Sequence, residues 1–201
     1  ESDSESQLYC FYLISAKIHY FFYKKEKALE LITKAEKLLT SYSPLDVPEH
    51  YFFHTLILLD NYSDFSEEEK KRHWDTIKSN NEKLADLAQG CPTNFEEKNL
   101  LISAMVSGIS GNFIKATEQF DAAIQATREG GFIQNEALAN ELTARYYLQR
   151  DKTTIARAYL REACISYIRW GATMKIQHLE DSYPELLKKR RRYDDSNALQ
   201  N

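Results

Sequence analysis

His50 and His54 stand one helical turn apart in "HYFFH", so a helix carrying them presents both imidazoles on one face. Zinc accepts such a pair but needs further ligands, and no Glu follows His50 as it does in a metalloprotease helix. The aromatic residues between and beside them make a partly buried aromatic face with two polar edges the plainer reading. "GISGNF" (Gly108–Phe113) lacks the following Gly-Lys-Ser/Thr of a phosphate-binding loop. It reads as a turn, and so does "REGGF", in which Gly130 or Gly131 supplies the left-handed residue that ends a helix. The one strong charge run, "KKRRR" (Lys188–Arg192), would suit an anionic partner. Cations also suit a helix C-terminus, and a polar stretch "YDDSNALQN" follows, so a solvated helix end leading into a linker is favoured. The five histidines are scattered, and no Ser/His/Asp or Cys/His order stands out. The expectation is a piece with no catalytic residue, no cofactor and no metal.

The elements that would hold such residues are helices. In 201 residues there are only 6 Gly and 4 Pro, too few for a fold built on strands and tight turns. The net charge of −4 gives no positive field for nucleic acid. Cys10, Cys91 and Cys164 are odd in number and far apart, as expected of reduced thiols in a cytoplasmic protein. No apolar run reaches the roughly 18 residues of a membrane span. The acidic start "ESDSESQ" does not read as a signal peptide, and the chain reads as a piece of something longer or a processed product.

Residues 1–6 read as a polar tail, 7–187 as one helical domain and 188–201 as a basic and polar linker. Apolar spacing predicts helices over about 6–23, 24–40, 49–61, 67–88, 95–110, 113–129, 134–149, 153–170 and 173–182. "SYSPLDVP" breaks the chain after the second, and Ser66 with Glu69 forms a capping box before the fourth.

Small residues recur across these helices. Ala28, Ile32 and Ala35 match Ala116, Phe120 and Ala123, and again Ala156, Leu160 and Ala163, each set preceded by an Ala in the helix before (Ala16, Ala104, Ala144). Small side chains let the two helices of a hairpin approach closely, and the large one fills the space against the next hairpin. The pattern resembles the tetratricopeptide repeat, lengthened: 40 residues separate Ala116 from Ala156, against about 34 in the standard repeat. The second pair has no clear trio. The predicted fold is all-α, a right-handed stack of antiparallel helical hairpins.

An aromatic band that includes Tyr20, Phe21, Phe22 and Tyr23, with Tyr51 further on, is too wide for one core-facing stripe. Part of it is expected to be a surface, facing a preceding repeat or another copy in a homodimer. Asn99, Asn140 and Arg145 are further interaction candidates, although their spacing makes no clear carboxylate clamp. At the far end Trp170 is expected to seal the stack as a buried lid, Gly171 to end its helix, and Pro184 to halt the short helix after it.

Four words in this last part, "NEALANEL" (Asn135–Leu142), "AxAYLxEA" (Ala156–Ala163), "RWGAxxK" (Arg169–Lys175) and "LEDSYPELL" (Leu179–Leu187), resemble the end of the helical-repeat region of a family of multidomain signalling proteins. Their order is a serine/threonine-kinase-like domain, an AAA-type ATPase, a helical-repeat region, a GAF domain and a sensor histidine kinase. Cys164 and Ile165 depart from it, where aromatic residues are expected. None of the family's catalytic motifs lies in this piece. The resemblance implies a non-catalytic interaction and coupling domain, relaying between the ATPase and the downstream kinase through other domains of its polypeptide or a partner protein. Small-ligand sensing by the helical superhelix and a free-standing peptide-binding adaptor are the alternatives.

Overall fold

The computed structural model describes residues 2–39 and 47–187, and every regular element among them is helical. The order is α1 (Ser2–Phe21), α2 (Lys25–Glu36), α3 (Val47–Asn61), a 3-10 turn (Tyr62–Asp64), α4 (Glu67–Gly90), α5 (Pro92–Ile109), α6 (Phe113–Glu129), α7 (Ile133–Leu148), α8 (Thr153–Trp170), α9 (Thr173–Ser182) and α10 (Pro184–Leu187). The basic run and linker at 188–201, and most of "SYSPLDVP", lie outside the described residues.

One boundary differs from expectation for a local reason. Residues 2–6 continue α1 rather than forming a tail. Glu5 suits this end of the helix, where backbone N–H groups concentrate positive charge. α9 stops at Ser182, before Pro184 as expected, and Pro184 then opens α10 at the first helical position, where a missing N–H costs nothing. The capping box forms as read: the Ser66 hydroxyl accepts from the Glu69 N–H, and the Glu69 carboxylate accepts from the Ser66 N–H at 2.9 Å.

Each helix packs on its chain neighbours, and α1 also packs on α3, α3 on α5, and α5 on α7. α1, α3, α5 and α7 therefore make a row, and the extensive burial of α3 and α7 marks it as the inner one. The small-residue sets lie at these contacts. Ala16, Ala28, Ile32, Ala35, Ala104, Ala116, Phe120, Ala123, Ala144, Ala156, Leu160 and Ala163 are all buried.

Five turns share one geometry. Tyr23, Gly111, Gly131, Asp151 and Gly171 have positive φ. In each turn the next residue donates its N–H to a carbonyl five positions back: Lys24 to His19, Asn112 to Ser107, Phe132 to Thr127, Lys152 to Tyr147 and Ala172 to Tyr167, at 2.9–3.0 Å. This bond closes a helix end through one left-handed residue. Gly111, Gly131, Asp151 and Gly171 follow at 20-residue intervals, half the spacing of the alanine sets. A helix and its turn thus make a unit that repeats.

Candidate functional site

The inner row curls until the end of α1 meets α7, α8 and α9, and buried charge sits where they meet. Glu141 of α7 is almost fully buried. Its Oε1 accepts from the Tyr23 hydroxyl at 2.8 Å and from Lys175 Nζ at 2.9 Å, and its Oε2 accepts from the Tyr167 hydroxyl at 2.7 Å. Lys175, on α9, also donates to the backbone carbonyl of Phe21 and lies 4.4 Å over the Tyr23 ring. One turn along α7, Arg145 pairs with Asp60 of α3 and lies 4.8 Å over the same ring from its own side. Spacing of four residues puts Glu141 and Arg145 on one face of α7, where they reach different neighbours.

This junction is electrostatically closed. Burial pulls the Lys175 ammonium down from its ordinary value, and Glu141 opposes that shift. Burial and then Glu141 push the Tyr167 hydroxyl far up, so it stays a donor. Burial works against the Arg145 charge, but Asp60, Tyr20, Tyr23 and Glu141 outweigh it and hold the guanidinium above its usual range. The half-buried Cys164 thiol is pushed up to about 11 by burial and Glu180, which keeps it from being a reactive thiolate. A second buried pair lies further along the inner row. Lys98 bonds Glu97 at 2.9 Å and faces Glu49 at 3.5 Å. Glu97 also accepts from Asn135 at 3.0 Å, and Glu49 from Lys17 at 2.7 Å. These contacts tie α1, α3, α5 and α7 together with their own side chains.

Beside the junction opens a cleft of about 470 Å³, whose lining includes Lys25, Asp60, Met105, Gly108, Arg145, Tyr146 and Arg150. Arg150 lies 3.7 Å over the Tyr146 ring and donates to the carbonyls of Tyr146 and Gly108, both at 3.1 Å. Gly108 is needed for that arrangement: a Cβ there would meet the Tyr146 ring at 2.6 Å. Three cations against one carboxylate give the cleft a positive bias.

The residues singled out by sequence fall into different places. Tyr20 and Asn140 are buried, and Asn140 donates to the Glu136 carbonyl of its own helix at 2.9 Å. Arg145 and Tyr23 belong to the junction. Asn99 reaches the Asn81 carbonyl at 3.5 Å, and Lys83 covers the Tyr51 ring at 4.5 Å. Tyr20, Phe21 and Tyr23 are thus brought together with Arg145, while Tyr51, Asn99 and Asn140 are not. Phe22 and Phe21 border a groove at the surface.

Trp170 corrects the expectation of a buried lid. It is 47% exposed, touching Phe21 at 6.3 Å and Tyr167 at 6.2 Å between ring centroids. The reason is register: Tyr167, three residues earlier, already fills the inward position and is fully buried with Leu179. Gly171 does end α8, with φ 82°.

His50 and His54 face inward, their rings 5.4 Å apart, with His50 against Tyr9 at 5.8 Å. Neither His50 nitrogen finds a hydrogen-bond partner, and burial lowers His50 to about 4 and His54 to about 3. Among the described residues no three His, Cys, Asp or Glu side chains gather as metal ligands.

Sequence reasoning missed Glu141, Lys175 and Tyr167. The signal was present: Glu141 and Arg145 are charges four apart within a segment otherwise rich in apolar residues, and Lys175 closes the word "RWGATMK".

Comparison with known proteins finds a partial likeness to one histidine kinase. A stretch of 54 residues, 27% of the chain, is 50% identical to "Hybrid signal transduction histidine kinase G" of Dictyostelium discoideum. That stretch covers 2% of the relative's own length. No family model matches, and no solved structure matches. Among the described residues no helix is long and apolar enough to cross a membrane.

Proposed function

We propose that the chain is a non-catalytic interaction and coupling domain of a large histidine-kinase signalling protein. In this reading its helices are lengthened tetratricopeptide-like repeats, stacked as a right-handed superhelix, and its partners are other domains of the same polypeptide or a docked protein in the cytoplasm. The observation that carries the reading is the Glu141 junction. It joins α1 to α7, α8 and α9 through charged groups with almost no access to water. A force or docking event at one end of such a closed stack changes contacts at the other, because buried polar networks tolerate few alternative arrangements. The 50% identity to a hybrid histidine kinase supports the signalling context.

The test is made in the full-length signalling protein. Lys175→Met breaks the junction without touching any kinase or ATPase motif, and the regulated part of histidine autophosphorylation should be lost while the basal rate persists. Regulation identical to wild type, in a variant whose domain is shown folded by protease resistance, counts against coupling through this junction.

The cleft beside the junction favours a second reading, sensing of a small anion. Arg150 makes only two backbone hydrogen bonds in a pocket with positive bias. Loss of a ligand-induced melting shift in Arg150→Gln would distinguish it from pure domain docking. The peptide-adaptor reading draws no support, since the inner face is filled by its own ion pairs.

A further inference from the structure

The cleft beside the junction holds a charge that the fold leaves unmatched. Of the cations lining it, Arg145 pairs with Asp60, and Lys25 reaches the Asp60 carbonyl at 2.8 Å and the Asp64 carboxylate at 3.4 Å. Among the described residues no carboxylate pairs with Arg150. A cap on the ends of α5 and α7 accounts for its two bonds to the Gly108 and Tyr146 carbonyls. A guanidinium carries five N–H donors, however. Those two bonds and the Tyr146 ring hold its plane and leave other donors unused. The Tyr146 hydroxyl is a second orphan. Tyr146 lines the same cleft and is 6% exposed, and its hydroxyl is buried with no hydrogen-bond partner. Burial raises this hydroxyl and Arg150 opposes that shift by less, so it keeps its proton and stays a donor at neutral pH. A buried donor of that kind is costly unless its partner comes from outside the fold.

We propose that the cleft binds a small monocarboxylate with an apolar body. Its carboxylate is held by the Arg150 guanidinium and the Tyr146 hydroxyl, and its body lies against Leu59, Met105, Phe120 and Leu142, which also line the cleft. A carboxylate suits both orphans, because its two oxygens only accept and match the planar fork of an arginine. Charge sets the ligand at one negative group. A single guanidinium is unmatched, and the Asp60 carboxylate opposes a second anionic group on the ligand. The volume of about 470 Å³ falls within the range of small-molecule sites, about 300–1,000 Å³. Arg145 lines the cleft and also covers the Tyr23 ring, so an occupant touches the junction directly. The proposal rests on the anion-sensing reading of this cleft and gives it a ligand class.

Calorimetric titration and thermal melting of the chain test it, with hexanoate as the probe. Hexanoate should bind at least about tenfold more tightly than acetate, which lacks the body, or inorganic phosphate, and hexanol, which lacks the charge, should give no shift. Arg150→Gln should weaken hexanoate binding about tenfold or more, and Tyr146→Phe about fivefold. Without ligand, Tyr146→Phe should melt no lower than the wild type, since it removes an unsatisfied donor. A Tyr146→Phe chain that melts lower yet binds hexanoate unchanged overturns the proposal, because the hydroxyl then serves the fold alone. Acetate or phosphate binding as tightly as hexanoate overturns the ligand class and leaves the anion reading standing. No binding of any of the three anions overturns both.

Discussion

At the scale of single residues, the two inward histidines make the fold sensitive to acid. The native state keeps His50 neutral down to about 4 and His54 down to about 3, while the unfolded chain protonates both near the ordinary value of about 6.5. The unfolded state therefore binds more protons between those limits, and stability must fall as pH falls through that window. At pH about 5 the loss should be about 2 kcal/mol for each histidine relative to neutral pH. Urea midpoints at neutral and mildly acid pH measure it, and His50→Phe should remove roughly half of the slope. A midpoint independent of pH contradicts the burial of the pair as neutral groups. Trp170 and Tyr167 make a second contrast. Removing the half-exposed indole should cost about 1–2 kcal/mol, whereas Tyr167→Ala should cost about 3–5 kcal/mol as a large buried side chain with a lost hydrogen bond. Thermal melts of the two variants should differ accordingly; equal losses would restore the lid that the sequence implied.

At the scale of elements, the turns decide where each helix ends and how the next one leaves. Gly171 has φ 82° and open space where a Cβ would sit, so Gly171→Ala meets no steric neighbour. Its cost is backbone strain alone, about 1–2 kcal/mol, and differential scanning calorimetry should find it without loss of helix content. Asp151 stands at the equivalent position with φ 58°, which its short polar side chain tolerates better than a β-branched residue would. The repeated geometry also accounts for what sequence could and could not read here. Periodicity and Gly placed α8 and α9 at the observed boundaries, because an apolar stripe ending in Gly is a local signal. The turns at Tyr23 and Asp151 carry no Gly, and their left-handed residues were invisible for that reason. The 20-residue rhythm emerges only when backbone angles join Asp151 to its glycine counterparts.

At the scale of the whole molecule, the Glu141–Lys175 pair holds the two groups through which α7 and α9 reach the far end of the chain, at Tyr23 and Phe21. Removing one partner strands a buried charge, so Glu141→Ala or Lys175→Met should each cost about 3–5 kcal/mol. The double variant should cost much less than the two together, since no charge is then left unpaired. Chemical denaturation of the three variants gives the coupling. Additive losses would mean that the pair is solvated and that α1 and α9 are not joined through it. The loosened variants should also lose protection first at the end of α1, whose Phe21 carbonyl accepts from Lys175.

Local chemistry written along the chain determined the helices, the capping box before α4 and the close contacts of the alanine sets. Each depends on residues within a few turns of one another, or on side-chain size alone. What the tertiary structure decided is how the inner row curls. Tyr23 and Glu141 are 118 residues apart, and nothing in either neighbourhood marks them as partners. Only the packed helices bring that carboxylate to two tyrosines and a lysine, and turn residues that looked like interaction surface into the inside of the molecule. The same packing left α1 with an apolar face uncovered. Helical periodicity shows that an apolar stripe exists, but burial of either stripe is settled by which neighbours arrive.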